Sequence, residues 1–168
     1  MERSLGLRAR LTAGIVAGLA GGLLIEAFYR GAGWAFHVQA DQLPLVTGYL
    51  TTTVLPPGSR LGLAVGLAFV LHLATSAGWG VGYVGASRTS PQLLARPWLS
   101  GAVFGLVVYI VMQVLLLTAG LYHRPEFDVL LIQLAAYTAW FGIPVAVTAS
   151  RLLRQARDDG QQARDDGQ

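Results

Sequence analysis

Four stretches of this chain run for about twenty residues or more with almost no charge, and that pattern decides most of what it can fold into. Leu11–Tyr29 is broken only by Glu26, while Leu61–Ser87, Pro97–His123 and Val129–Ser150 contain no Asp, Glu or Arg. A bilayer core is about 30 Å thick, and a helix rising about 1.5 Å per residue crosses it in about 20 residues. Away from water, a helix is the one local structure that satisfies its own backbone over that length. Composition agrees: 12 % of the 168 residues are charged and 54 % are hydrophobic, too few polar groups to clothe a soluble domain. The expected fold is all-α, an integral membrane four-helix bundle with spans at about 11–29, 61–86, 98–121 and 129–152 in one domain over 1–154.

Orientation follows from arginine, because short cytoplasmic loops retain positive charge. There is no Lys, so all 12 basic residues are Arg. Arg3, Arg8 and Arg10 precede the first span, Arg88 and Arg96 lie between the second and third, and Arg151, Arg154 and Arg157 follow the fourth. The other side has Arg30, Arg60 and Arg124, offset by Asp41, Glu126 and Asp128. Eight against three places both termini in the cytoplasm and the chain in the cell membrane. A cleaved signal peptide is the competing reading of the first block, but Glu26 with Phe28 and Tyr29 looks more like a span reaching the interface. The net charge of +3 is too small and scattered for a nucleic-acid surface, so the expected partners are membrane lipids and a second copy or another membrane protein. With no Cys, thiol and disulfide chemistry is excluded.

Between the first two spans, Arg30 to Arg60 is apolar and aromatic rather than loop-like. Asp41 can cap a helix that has Pro44 in its first turn, and Pro56-Pro57 stops it. Leu43, Val46, Leu50 and Val54 share one face, which predicts a short helix over about 42–55, interfacial or re-entrant. The tail, 155–168, repeats QARDDGQ twice and holds no apolar residue larger than Ala, so it is expected to be disordered or a frayed extension of the last helix.

Small residues four apart mark where helices approach closely in lipid. Gly14, Gly18 and Gly22 do so in the first span, Gly62, Gly66, Gly78, Gly82 and Gly85 in the second, and Gly101 and Gly105 in the third. Ala135, Ala139, Gly142 and Ala146 follow in the fourth, where Pro144 is expected to kink the helix. The run GWGVGYVG lies within a span, without the strand that a nucleotide loop requires.

Ionisable side chains inside a span are costly and are the default candidates for function. Glu26 sits in the outer part of the first span, and His72, eleven residues into the second, lies near mid-membrane. Gln113 and Tyr137 belong at the depth of His72, and Gln133 at that of Glu26, with Arg30, Arg60 or Arg124 as candidate partners. These five, Glu26, His72, Gln113, Gln133 and Tyr137, are the candidate intramembrane polar residues, as register-setting hydrogen bonds or as a proton or ion path. No catalytic residues, metal or cofactor are expected. His72 and His123 differ by about a dozen residues' rise, too much to share one haem iron. His37, Asp41, His123, Glu126 and Asp128 lack a specific ligand spacing, and Pro125 breaks the helical pairing of His123 with Glu126. No Ser-His-Asp, Walker or zincin pattern occurs.

From His72 onward the chain reads HLATSAGWGVGY, an Arg-containing turn, LSGAVFGLVVYIVMQVLLLTAGL, a short loop and AAYTAWFGIPVAVTASRLLR. This order of features over residues 72–154 resembles the YagU-like family of bacterial inner-membrane proteins. Members of that family have a His-led span ending in glycine and aromatics, a GxxxG-led span and a final span with a central Trp-Phe. Their third span tends to carry a His and a Pro where this chain has Gln113 and Thr118. The resemblance implies an inner-membrane location and a link to acid tolerance rather than a reaction. The expected function is non-enzymatic: a polytopic protein in a stress-related role, or a subunit of a membrane assembly. The alternative is a small proton, ion or solute transporter or channel, built as an oligomer and using Glu26 and His72.

Overall fold

The computed structural model describes residues 6–36, 43–58, 60–121 and 125–165, and among them every regular element is helical. α1 is Leu7–Phe36, and α2 is Leu43–Tyr49, which runs on as a π-helical turn at Leu50–Val54. α3 is Leu61–Ala86, α4 the short Gln92–Ala95, and α5 Pro97–Thr118. α6, Phe127–Ala135, passes through a π-helical segment at Ala136–Gly142 into α7, Ile143–Asp165. Four helices are long and apolar enough to cross a membrane: Leu7–Ala35, Leu61–Ala86, Pro97–Thr118 and the continuous Phe127–Gln162.

Helix ends follow local chemistry. Pro97 opens α5, where its missing N–H costs nothing. α5 stops at Thr118, short of the expected 121, because Gly120 adopts φ 71° and closes the end. The Gly120 N–H bonds to Leu117 O at 3.1 Å and the Leu121 N–H to Leu116 O at 2.9 Å, the pairing that a left-handed glycine makes possible. α1 outruns its expected limits at both ends, and Arg30 lies within it. Of the two forms expected for the tail, disorder or an extension of the last helix, the described residues have the second: the last helix continues to Asp165. Gln, Ala and Arg are good helix formers, and Arg154 and Asp158 stand at the favourable four-residue spacing. The last fully buried side chain of this helix is Leu153, so the extension buries no core.

Two close crossings organise the long helices. Where α1 meets α3, Gly14 and Gly18 lie against the backbone of Ser76 to Val81, and a Cβ on Gly80 would collide with the Gly14 carbonyl and the Gly18 backbone. Where α5 meets the π segment and α7, a Cβ on Gly142 would collide in the same way with the Gly101 carbonyl and the Gly105 backbone. Gly78 and Gly82, expected on a contact face, have open space where a Cβ would stand. They sit two residues from Gly80, about 200° around the helix, so the contact runs through His72, Ser76 and Gly80 at spacing four instead. Gly62, Gly66 and Gly85 are equally open.

The crossings pair residues in one register. Gly14, Gly18 and Gly22 of α1 correspond to Gly101, Gly105 and Tyr109 of α5, and in that count Gln113 stands where Glu26 does. Ser76 corresponds to Tyr137, whose carbonyl faces Gly105 as the Ser76 carbonyl faces Gly18. His72 then corresponds to Gln133. Between Tyr137 and Gly142 the second pair holds one residue more than Ser76 to Gly80, and the widened π turn absorbs it. Thr138 Oγ1 donates to Leu134 O at 2.7 Å there, and Pro144, which has no N–H to give, follows directly.

α1 also packs closely on α7 and the π segment, with Gly21 against Phe141 and Val145. α3 and α5, by contrast, meet through side chains: Phe104 lies edge-on to Trp79 and Tyr83, with centroids 6.4 and 5.0 Å away. The Tyr83 hydroxyl donates to Leu93 O at 2.8 Å and lies 2.8 Å from Ser100 Oγ, which ties α4 to both long helices. α2 leans on α3, its Leu43, Val46 and Leu50 packing around Ala64 and Ala68. Val54, expected on the same face, is 57 % exposed, and Leu55 packs in its place. The Leu55 N–H reaches back five residues to Leu50 O, so the π turn shifts the buried face by one residue.

Candidate functional site

The side-chain contact between α3 and α5 leaves space that the close crossings elsewhere do not. A cavity of about 130 Å³ lies among α1, α3, α5 and the π segment, with Leu43 and Val46 of α2 at one end. Its walls are mainly apolar, Ile25, Leu71, Val108, Met112 and Phe141 among them, and its polar side chains include Glu26, His72, Trp79 and Tyr137. Three of the five sequence candidates therefore share one space.

Glu26 is only 6 % exposed. Among the described residues its ion pair is with Arg30, a turn later on α1, where Nη2 stands 2.5 Å from Oε1 and the arginine side chain is 64 % exposed. The carboxylate is thus held at the cavity with its counter-charge at the surface, an arrangement a buried charge needs to persist. His72 Nε2–H donates to the Gly22 carbonyl at 3.0 Å, and its ring stacks on Phe69 at 6.5 Å. With Nε2 protonated, a neutral imidazole keeps Nδ1 as an acceptor. The Trp79 indole N–H is buried without a partner, a donor that normally finds one.

The other two candidates lie elsewhere. Gln133 is buried, accepts a hydrogen bond from the Tyr109 hydroxyl at 3.3 Å and does not line the cavity. Gln113 is half-buried on α5 and does not line the cavity, although its neighbour Met112 does. Tyr137 packs between Tyr109 and Phe141, with centroids 5.4 and 6.3 Å away. His37, Asp41, His123 and Arg124 lie outside the described residues, so the outer-face cluster is not placed.

Sequence reasoning missed Trp79 and an aromatic chain, Trp79–Phe104–Phe141–Tyr137–Tyr109, that runs beside the cavity. A signal was present: His72, Ser76 and Trp79 recur at helical spacing and so share a face. Compared with models of protein families, with curated proteins and with solved structures, the chain matches none.

Proposed function

We propose that this is a non-enzymatic, multi-pass protein of the cytoplasmic membrane, a four-helix bundle that binds and passes a small solute through the Glu26–His72 cavity. The membrane reading is supported by four helices of sufficient length and apolarity, and the arginine bias argues for both termini in the cytoplasm. The resemblance to the YagU-like family would place it in a bacterial inner membrane. The observation that carries the solute reading is a buried carboxylate and an imidazole lining one otherwise apolar space. At about 130 Å³ the cavity is near the engineered cavity of about 150 Å³ that holds one benzene. The solute that fits has a compact apolar body and one positively charged or hydrogen-bond-donating end, which Glu26 receives.

Titration of the detergent-solubilised chain with benzylammonium, with toluene as the uncharged control, tests this. Benzylammonium is expected to bind and Glu26→Gln to weaken it about ten-fold or more, the scale of one charge-assisted hydrogen bond. Indifference of binding to Glu26→Gln would remove the reading. Passage is then measured as uptake into vesicles carrying the protein. The close glycine crossings argue against a wide pore through one copy, so a channel would need an oligomer. A scaffold or assembly subunit, with Glu26 and His72 only setting register, is the reading that follows if neither binding nor uptake occurs.

A further inference from the structure

At the end of the molecule that carries the chain termini, four pieces converge: the start of α1, the end of α3, the turn with α4, and the last half of α7. Arg154 Nη2 donates to Leu94 O at 3.3 Å and fastens α7 to that turn. A second cavity opens there, about 300 Å³, and Arg10, Arg88, Arg154 and Arg157 all line it, with no acidic side chain among the described lining residues. Guanidinium groups gathered around one hollow favour a negative group between them. Two serines also line it, in different states. Ser87 Oγ is committed to Val84 O at 2.7 Å. Ser150 is 3 % exposed and its hydroxyl has no partner among the described residues, which costs free energy that a ligand acceptor would recover.

From this geometry we infer a binding site for a phosphate group, with arginine forks supplying paired N–H donors and Ser150 a buried hydroxyl. Planar guanidinium matches the oxygens of a phosphate better than a point charge does. The Arg88 and Arg157 side chains are exposed, so a ligand reaches them without the helices parting. Two sources offer the same chemistry: the headgroup of an anionic phospholipid, or free phosphate and its small esters. The lipid source rests on the membrane reading, since basic hollows between spanning helices at the cytoplasmic face suit such headgroups. The free-phosphate source does not. The site is separate from the Glu26 cavity, with which it shares no lining residue, so each stands or falls alone.

The test uses the full chain in mild detergent, read by native mass spectrometry after exposure to phosphatidylglycerol or phosphatidylcholine, and by thermal shift with inorganic phosphate. Arg88→Gln/Arg157→Gln is compared with the parent and with Arg151→Gln, an exposed arginine that does not line the hollow. Preferential retention of phosphatidylglycerol is expected, falling about thirty-fold in the double variant, since each surface arginine contributes about a factor of five toward an anionic headgroup. Arg151→Gln should change it little, and Ser150→Ala should weaken it without lowering the melting temperature of the unliganded chain. A thermal shift with phosphate, without lipid preference and lost in the double variant, would support the site with a soluble ligand. Equal retention of both lipids with no phosphate shift overturns the proposal. So does retention that the double variant leaves intact, or that Arg151→Gln weakens as much.

Discussion

The α1–α3 pair and the α5–α6/α7 pair meet through the same backbone contacts yet carry different chemistry at matching positions. Gly80 seats against Gly14 and Gly18 as Gly142 seats against Gly101 and Gly105. Each pair also has a hydrogen bond joining the same two positions, His72 to Gly22 in the first and Tyr109 to Gln133 in the second. Where the first pair has Glu26 and His72, the second has the neutral Gln113 and Gln133. Tyr109 stands in the place of Gly22, where a Cβ would run into the Ser76 side chain next to His72. Packing is therefore repeated and ionisable chemistry is not: the first pair brings the charge, and the second closes the cavity with Val108, Met112, Tyr137 and Phe141.

Breaking the shared feature should produce the largest effects. Gly80→Val and Gly142→Val each force a side chain into backbone, and each is expected to destabilise by about 3 kcal/mol or more, the upper end of overpacking costs. Melting of both variants in detergent checks this, and unequal losses would show that one crossing dominates. Next comes the difference in chemistry. Glu26→Gln should lose about ten-fold in benzylammonium affinity, while Gln113→Glu in that background should not restore it, because Gln113 does not line the cavity. Recovery by Gln113→Glu would mean that the two positions are interchangeable.

The matched hydrogen bonds differ more finely. Gln133→Leu removes an acceptor from a buried Tyr109 hydroxyl and is expected to cost about 1–2 kcal/mol in an unfolding titration. His72→Leu leaves only a helix carbonyl without its extra donor, so its loss should be smaller, about 1 kcal/mol or less. The smallest effect belongs to the glycines outside either crossing. Gly78→Ala and Gly82→Ala meet no neighbour and should stabilise α3 by up to about 1 kcal/mol, through helix propensity alone. A melting temperature lowered by either would indicate that this face contacts a second copy.

The matching of the two pairs was hard to read from sequence because few identities carry it: glycines at the crossings, then residues as unlike as Ser76 and Tyr137. The extra residue in the π segment also breaks the count between the Gly80–Gly142 crossing and the matches of Ser76 with Tyr137 and His72 with Gln133. Glu26 and His72 could be singled out because an ionisable group in an apolar block is costly wherever it lies. Trp79 had only its helical spacing from His72 and Ser76 to mark it, because an aromatic residue in such a block carries no cost of its own.

By itself, the sequence determined the all-helical fold, four long apolar helices and the short helix before Pro56, because backbone satisfaction and residue type act locally. The tertiary structure decided which glycines bear contacts, choosing Gly80 and Gly142 over Gly78 and Gly82. It also decided that Glu26, His72 and Tyr137 share a cavity while Gln113 and Gln133 do not, and that Arg10 and Arg88 join Arg154 and Arg157 around the hollow that Ser150 lines. The reason is rotational. Length and hydropathy say that a helix exists, but the direction its side chains face depends on the helices beside it, and one extra residue in a π turn rotates everything beyond it.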